Sequence, residues 1–220
     1  PGINDVIRGI VMELAFHYGV QRIYGFRNGY QGFIPCYGHD VVDLTPEVVS
    51  RIAEDGGTIL GTSRGAQDPD GIVDCLERMN IGILFVIGGD GTLRGAMQIA
   101  RVATERGCRI AVVGIPKTID NDIPYIDQSF GFQTAVEAAW EVVMGAHAEA
   151  KAYRHGVGLV KLMGRQSGWI AASATLSNSN VNFCLIPEAP FDLDGENGFL
   201  AHLHRRLDRK DHAVVVVAEG

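Results

Sequence analysis

Short apolar runs alternate along the chain with longer segments in which apolar residues recur at helical spacing. Strands are predicted at 22–26, 58–62, 81–87, 109–115, 157–163, 183–187 and 213–218, and Pro116 is expected to end the fourth of them. Helices are predicted at 5–18, 70–79, 93–104, 132–153, 167–176 and 199–209, with another from Thr45 to Gly56 and a loop at 27–39. This alternation predicts an α/β fold with three α/β/α layers and mostly parallel sheets.

Polar residues follow several of these strands directly. Ligands of parallel sheets bind beyond the carboxyl ends of the strands, so these residues are candidates for a site. The polar groups lie at 63–64, 89–92, 117–122 and 163–165 and at Glu219.

The segment 88–92, GGDGT, joins a predicted buried strand to a predicted helix. Its glycines allow the backbone to turn sharply and to approach a ligand closely. The following helix N-terminus can receive an anion, and Asp90 is a suitable oxygen ligand for Mg²⁺ on a polyphosphate. The pattern favours a phosphate-binding turn. The alternative is a tight turn in which Asp90 only caps the helix.

The loop KTIDND at 117–122 places two carboxylates just after a predicted strand. A phosphoryl acceptor hydroxyl needs a base for its proton and a cation for the transferred phosphate. Either Asp120 or Asp122 can be the base, Lys117 can supply charge, and Thr118 offers a hydroxyl to the substrate. The alternative is an Asx-turn loop with a surface ion pair.

Two arginines also follow predicted strands. Arg165, in Met163-Gly164-Arg165, suits bidentate recognition of a phosphate or carboxylate, and Arg64 has the same chemistry. In isolation, each of these residues is better explained as a solvated arginine.

Composition narrows the class of protein. With 46% hydrophobic and 20% charged residues, the chain is typical of soluble globular proteins, and no apolar run approaches the ~20 residues of a membrane span. The four cysteines are far apart, which disfavours zinc and disulfides and favours a reducing cytoplasm. A net charge of −7 argues against a nucleic-acid surface but is compatible with anionic substrates.

The motifs IGGDGT, GIPKTIDNDI, SFGFQTAVE, VKLMGRQSGWIA and CLIPE occur in this order. Together they resemble the 6-phosphofructokinases of type A, and closely the branch of plant and trypanosomatid ATP-dependent enzymes, along essentially the whole chain. The resemblance implies transfer of a phosphoryl group from ATP to the 1-hydroxyl of fructose 6-phosphate, with Mg²⁺, in homo-oligomers that are dimers or tetramers. It also implies two similar Rossmann-like domains with the active site between them.

Under this resemblance, residues 1–154 form the nucleotide- and Mg²⁺-binding domain and residues 155–220 begin the sugar-phosphate domain. The strand expected before Pro1 and the segment expected after Gly220 are absent. The chain is therefore expected to be a fragment of the catalytic core with an incomplete second domain, inactive by itself.

The resemblance also assigns roles. Asp120 is the base, Asp122 lies near the metal, and Lys117 keeps its catalytic charge. The sugar phosphate is bound by Thr118, Asp120, Met163, Gly164, Arg165 and Glu219. The donor is bound by Arg64, Gly65, Gly89, Asp90, Gly91 and Thr92, and Asp90 handles Mg²⁺.

The phosphoryl donor depends on two positions. Gly91 favours ATP, because a carboxylate there would crowd and repel the α-phosphate of a nucleotide. Lys117 is the residue type of pyrophosphate enzymes, but Gly with Lys occurs in the plant-like ATP branch. ATP is therefore expected, with pyrophosphate as the alternative.

Two further alternatives belong to other classes. One is a non-catalytic, regulatory phosphofructokinase-like subunit, which the retention of Asp120, Asp90 and Arg165 disfavours. The other is an NAD or diacylglycerol kinase, which shares GGDGT but not PKTIDND followed by MGR.

Overall fold

The computed structural model describes all residues from Pro1 to Gly220 and shows two compact units, Pro1–Lys117 and Thr118–Gly220. The boundary precedes the long helix Phe132–Ala152, whereas the sequence placed the domain change after it, near residue 154. The long helix belongs to the second unit because it packs on strands of that unit. The functional division at residue 154 stays a prediction.

The first unit contains four helices and four strands. The helices are α1 (Ile3–Phe16), α2 (Pro46–Val49), α3 (Pro69–Arg78) and α4 (Asp90–Glu105). The strands are β1 (Tyr24–Phe26), β2 (Val41–Asp43), β3 (Ile83–Gly88) and β4 (Ala111–Thr118), with 3₁₀ turns at Gly29–Phe33, Pro35–Tyr37 and Ile52–Glu54. β3 and β4 are parallel, whereas β1 and β2 are antiparallel.

β3 is covered on both faces, as a buried parallel strand requires. Leu84 and Val86 pack with α3 and α4, while Ile87 packs in a separate cluster with α1. The carboxylate of Asp68 begins α3 by accepting hydrogen bonds from the amides of Asp70 and Gly71. The first unit therefore has helices on either side of β3.

The second unit contains three helices and a parallel sheet. The helices are α5 (Phe132–Ala152), α6 (Trp169–Leu176) and α7 (Phe199–Lys210). The strands are β5 (Phe130–Gly131), β6 (Gly156–Leu162), β7 (Phe183–Leu185) and β8 (His212–Ala218), and the sheet order is β6-β8-β7. The pairs β6–β8 and β7–β8 are both parallel.

β8 is buried on both faces. Val214 and Val216 pack against α5 and α6, and Val215 points to the other face, on which α7 contacts the strand. This arrangement confirms the predicted three-layer α/β/α fold with parallel sheets.

Several local predictions were wrong. The segment 58–62 is a turn closed by the bond from the Gly61 amide to the Thr58 carbonyl, since Gly61 has φ +69° and its apolar neighbours pack with α1. Pro116 does not end β4. It lies in the last residue pair between β3 and β4, so its missing N–H removes no hydrogen bond from the interior of this strand pair. The helix from Thr45 ends early, at Val49, and β2 was missed.

None of the helices combines the length and the apolar character that crossing a membrane would require.

Candidate active site

The turn at 88–92 in the first unit depends on one glycine and leaves another exposed. A Cβ at Gly88 would lie 2.5 Å from Oγ1 of Thr92, so a larger residue at position 88 would clash with the Thr92 side chain. A Cβ at Gly91 would meet nothing within 4 Å. Gly91 is therefore not required by packing, and the space beside it is open to a ligand.

Asp90 is the first residue of α4 and Gly89 is the N-cap, so Asp90 is not the helix cap of the alternative interpretation. Its carboxylate is 55% exposed and pairs with Arg94 across one helical turn, at 2.6 Å. Such an exposed pair contributes little to stability.

Asp90 also fits the way in which proteins hold Mg²⁺. No group of three or more His, Cys, Asp or Glu side chains is arranged for a metal ion. Mg²⁺ is, however, commonly bound by one or two carboxylates together with substrate phosphates. A single exposed carboxylate at a helix N-terminus fits this mode, provided that Arg94 releases it.

Tyr30 supports the same turn from the 3₁₀ segment Gly29–Phe33. Its hydroxyl donates to the carbonyl of Thr92 at 2.6 Å, and its ring occupies the place where a side chain at Gly95 would stand. Burial raises the pKa of Tyr30 to about 12. The sequence predicted only a loop here, and the glycine inside α4 was the available signal for a close contact.

The other predicted residues of the first unit lie on exposed or strand-end positions. Arg64 and Gly65 are exposed between the turn at 58–62 and α3, and Gly65 has φ +95°. Lys117 lies near the end of β4 and is half-buried.

The loop at 118–122 in the second unit is held in place by the side chain of Asn121. Asn121 is buried and adopts the left-handed conformation, with φ +54°. Its Oδ1 accepts from the Ser129 amide at 2.9 Å, and its Nδ2 donates to the Asp127 carbonyl at 3.1 Å. The buried hydroxyl of Ser129 donates to the Thr118 carbonyl. These bonds fix the segment that carries both carboxylates.

Thr118 and the two aspartates complete this loop. The Thr118 hydroxyl accepts from the Asp120 amide at 3.1 Å, and Asp120 is half-buried whereas Asp122 is exposed. Sequence reasoning missed Asn121 and Ser129. An asparagine between two aspartates was the available signal, because asparagine tolerates the left-handed conformation.

The loop at 163–168, which follows β6, has a constrained backbone. Gly164 is buried with φ +147°, and a Cβ on it would lie 2.3 Å from the Ser167 carbonyl. Arg165 is left-handed, with φ +51°, which is costly for a residue with a long side chain. Met163 and Arg165 are exposed at the tip of the loop.

This loop contacts Glu219, as the sheet order requires. β6 and β8 are parallel neighbours, so the residues beyond their carboxyl ends are adjacent. Oε2 of Glu219 accepts from the Arg165 amide at 3.2 Å. The structure thus brings two predicted site residues together, although they are far apart in sequence.

Two further side chains hold the loop at 163–168. The buried hydroxyl of Ser167 donates to the Asp120 carbonyl at 2.9 Å. Glu188 accepts from the Gly168 amide at 2.8 Å and 3.1 Å through its two carboxylate oxygens. Carboxylates, a guanidinium and a hydroxyl therefore lie on two loops that are hydrogen-bonded to each other. This set can bind a phosphorylated polyol and accept a proton from it.

Comparison with known proteins gives relatives along the whole chain. ATP-dependent 6-phosphofructokinase of Borreliella burgdorferi is 55% identical over 226 residues, which cover 100% of this chain and 51% of that protein. ATP-dependent 6-phosphofructokinase 7 of Arabidopsis thaliana is 51% identical over 220 residues, covering 100% of this chain and 45% of the relative. The chain spans about half the length of the curated relatives it matches.

Solved structures support the fold. A pyrophosphate-dependent phosphofructokinase from Marinobacter aquaeolei matches with a TM-score of 0.82 at 24% identity, over 99% of this chain and 57% of that chain. The family model described as phosphofructokinase matches residues 1–220. On this match and the sequence relatives, the chain belongs to the phosphofructokinase family.

Proposed function

We propose that the complete protein transfers a phosphoryl group from ATP to the 1-hydroxyl of fructose 6-phosphate, giving fructose 1,6-bisphosphate. The observation that carries this proposal is the bond between Ser167 and the Asp120 carbonyl. It joins a loop with two carboxylates to a loop with an exposed arginine. The names of the relatives, ATP-dependent 6-phosphofructokinases, agree with this chemistry.

Asp120 is the general base of the proposed reaction. It accepts the proton of the 1-hydroxyl as the oxygen attacks the transferred phosphorus, a step that requires a carboxylate within hydrogen-bond reach. Lys117 and Asp122 lie on either side of it in sequence. In the proposal Lys117 balances the charge of the transferred group, and Asp122 lies near the metal.

The sugar phosphate is held by the loop at 163–168 with Thr118 and Glu219. The exposed guanidinium of Arg165 suits a phosphate dianion, because it can donate two parallel hydrogen bonds. Glu219 accepts hydrogen bonds from sugar hydroxyls, while Met163 and Gly164 form the wall of the subsite. We call 118–122 and 163–168 the acceptor loops.

The donor is bound by residues 88–92, which we call the donor turn, with Arg64 and Gly65. The amides at the start of α4 favour the negative charge of a polyphosphate. Asp90 would hold Mg²⁺, which supplies charge neutralisation on the phosphate oxygens when it is bound. Gly91 leaves open space, which favours a nucleotide over pyrophosphate.

Pyrophosphate remains the second candidate donor because of Lys117, and a regulatory subunit without turnover is the alternative from another class. The proposal also includes a homo-oligomer in the cytoplasm, although one relative is named a chloroplastic enzyme.

The test uses the complete protein with Mg²⁺, fructose 6-phosphate and either donor. We expect turnover with ATP, and we expect Asp120→Asn to lower kcat by about 10³-fold or more with little change in sugar binding. Asp208→Asn, at an exposed position of α7, is the matched control and should retain full activity. Turnover with pyrophosphate but not with ATP would reject ATP as the donor. A small effect of Asp120→Asn would reject the base.

A further inference from the structure

We propose that Ser167 is a positioning residue, which sets the place of Asp120 relative to Arg165 through its hydroxyl. Ser167 is 5% exposed, so its hydroxyl has no access to substrate and acts only through its neighbours. This inference rests on the proposed role of Asp120 as the base.

The hydroxyl of Ser167 is satisfied in both directions. It donates to the Asp120 carbonyl at 2.9 Å and accepts from the Trp169 amide at 3.4 Å. The Trp169 amide opens α6, whose residues Ile170 and Ala171 are fully packed in the core. Ser167 therefore links the backbone of the base to a rigid helix.

The backbone of Ser167 belongs to the loop at 163–168, which is proposed to hold the sugar phosphate. Its amide donates to the Gly164 carbonyl at 2.8 Å and so closes the turn that presents Arg165. The left-handed conformation of Arg165 is maintained between this bond and the bond from its own amide to Glu219. One residue thus fixes both acceptor loops.

Removal of the hydroxyl should affect the chemical step more than binding. The loop at 163–168 keeps its hydrogen bonds to Glu219 and Glu188, so Arg165 stays in place. The Asp120 carbonyl, in contrast, loses the hydrogen bond from Ser167, and the base shifts relative to the bound hydroxyl. A misplacement on the order of 1 Å can lower a rate about 10²-fold.

The kinetic test compares three variants of the complete protein. We expect Ser167→Ala to lower kcat at least about 10-fold while KM for fructose 6-phosphate stays within about twofold. Ser167→Cys has a similar volume but a weak donor, so it should remain impaired. If Ser167 only filled space, cysteine would restore the rate, and that result would overturn the proposal.

Ser177→Ala is the matched control. The Ser177 hydroxyl also donates to a backbone carbonyl, that of Ala174 at 3.0 Å, but at the far end of α6. Its removal should leave kcat unchanged. A wild-type kcat in Ser167→Ala, or an equal loss in Ser177→Ala, would contradict positioning by Ser167.

Hydrogen exchange separates this proposal from the proposed function. In Ser167→Ala, the amides of residues 119–122 should exchange faster than in wild type, whereas Ser177→Ala should not change them. If the wild-type protein turned over neither donor, the proposed function would fail, and faster exchange would still support the link between the loops. Unchanged exchange in Ser167→Ala would overturn the link whatever the activity.

Discussion

The donor turn and the acceptor loops carry polar groups beyond parallel strands, yet they are held in different ways. The donor turn depends on the absence of side chains, with Gly88 packed against Thr92 and Gly91 open. Its carboxylate, Asp90, lies in a surface ion pair. The acceptor loops are held by buried side chains that bond backbone groups: Asn121 fixes the loop at 118–122, and Ser167 joins that loop to the loop at 163–168.

This difference matches the chemistry proposed for each side. A polyphosphate is long, charged and partly bound through a metal, so open backbone amides and free space suit it. A base must reach one hydroxyl within about 3 Å, so its loop needs rigid support. If this is correct, mutations that remove polar groups should harm the acceptor loops more than the donor turn, in which the added atoms of a mutation at Gly88 should have the larger effect.

The largest effect on stability is expected at Asn121. Asn121→Ala leaves the buried Ser129 amide without its acceptor and places alanine in a left-handed conformation, so the free energy of unfolding should fall by about 3 kcal/mol. Asn121→Gly keeps the backbone but not the bonds, and should lose about 2 kcal/mol. Urea denaturation of the complete protein measures both values.

The exposed Asn197 provides the control, since Asn197→Ala should change the free energy of unfolding by less than about 0.5 kcal/mol. If Asn121→Gly unfolded like the wild type, only its left-handed backbone would matter, and the hydrogen bonds would not support the loop.

A smaller effect is expected in the donor turn, where atoms are added. Gly88→Ala forces a Cβ into the Thr92 side chain and should lower the free energy of unfolding by about 1–3 kcal/mol, with a raised KM for ATP. Gly91→Ala meets no neighbour and should leave stability unchanged or slightly higher, because alanine favours a helix. Equal stabilities of the two variants would show that the turn is not limited by packing at Gly88.

Much of the fold was predictable from the sequence because burial leaves a local pattern. β8 is an uninterrupted apolar run from Ala213 onward, and α5 repeats its apolar residues at helical spacing. The antiparallel strand β2 and the turn at 58–62 were not predictable. Each has only two consecutive apolar residues, and their conformation depends on partners elsewhere in the chain. β2 pairs with Tyr24–Phe26, and the turn packs against α1.

The candidate site divides in the same way. Residues proposed to touch substrate, such as Asp120 and Arg165, were candidates because of their chemistry beyond predicted strands, and the family resemblance then gave Asp120 the role of base in place of Asp122. The supporting residues Ser167, Asn121 and Tyr30 act through backbone atoms of other segments, and nothing in their own sequence neighbourhood specifies those partners. Tyr30 is the clearest case, since its acceptor, the Thr92 carbonyl, lies far along the chain.

Tyr30 supports the donor turn through a single hydrogen bond, so its loss is expected to have the smallest of the three effects on stability. Tyr30→Phe removes the bond to Thr92, whose carbonyl lies within the first turn of α4, and should cost about 1 kcal/mol. Tyr18→Phe, at a 73% exposed ring, should cost nothing measurable and serves as the control.

The difference in stability between the wild type and Tyr30→Phe should depend on pH, and this dependence tests the burial of Tyr30. Its pKa is about 12 in the folded protein and 10 when unfolded, so both states hold the proton below pH 10 and the stabilisation is complete there. Between pH 10 and 12 the unfolded state ionises first, and wild-type stability should fall by about 1 kcal/mol, allowing for the partial exposure of the ring. Tyr30→Phe lacks this loss, so the gap between the two proteins should narrow over the same range. Because the other tyrosines titrate in both proteins, a gap that stayed constant up to pH 12 would mean that burial does not raise the pKa of Tyr30.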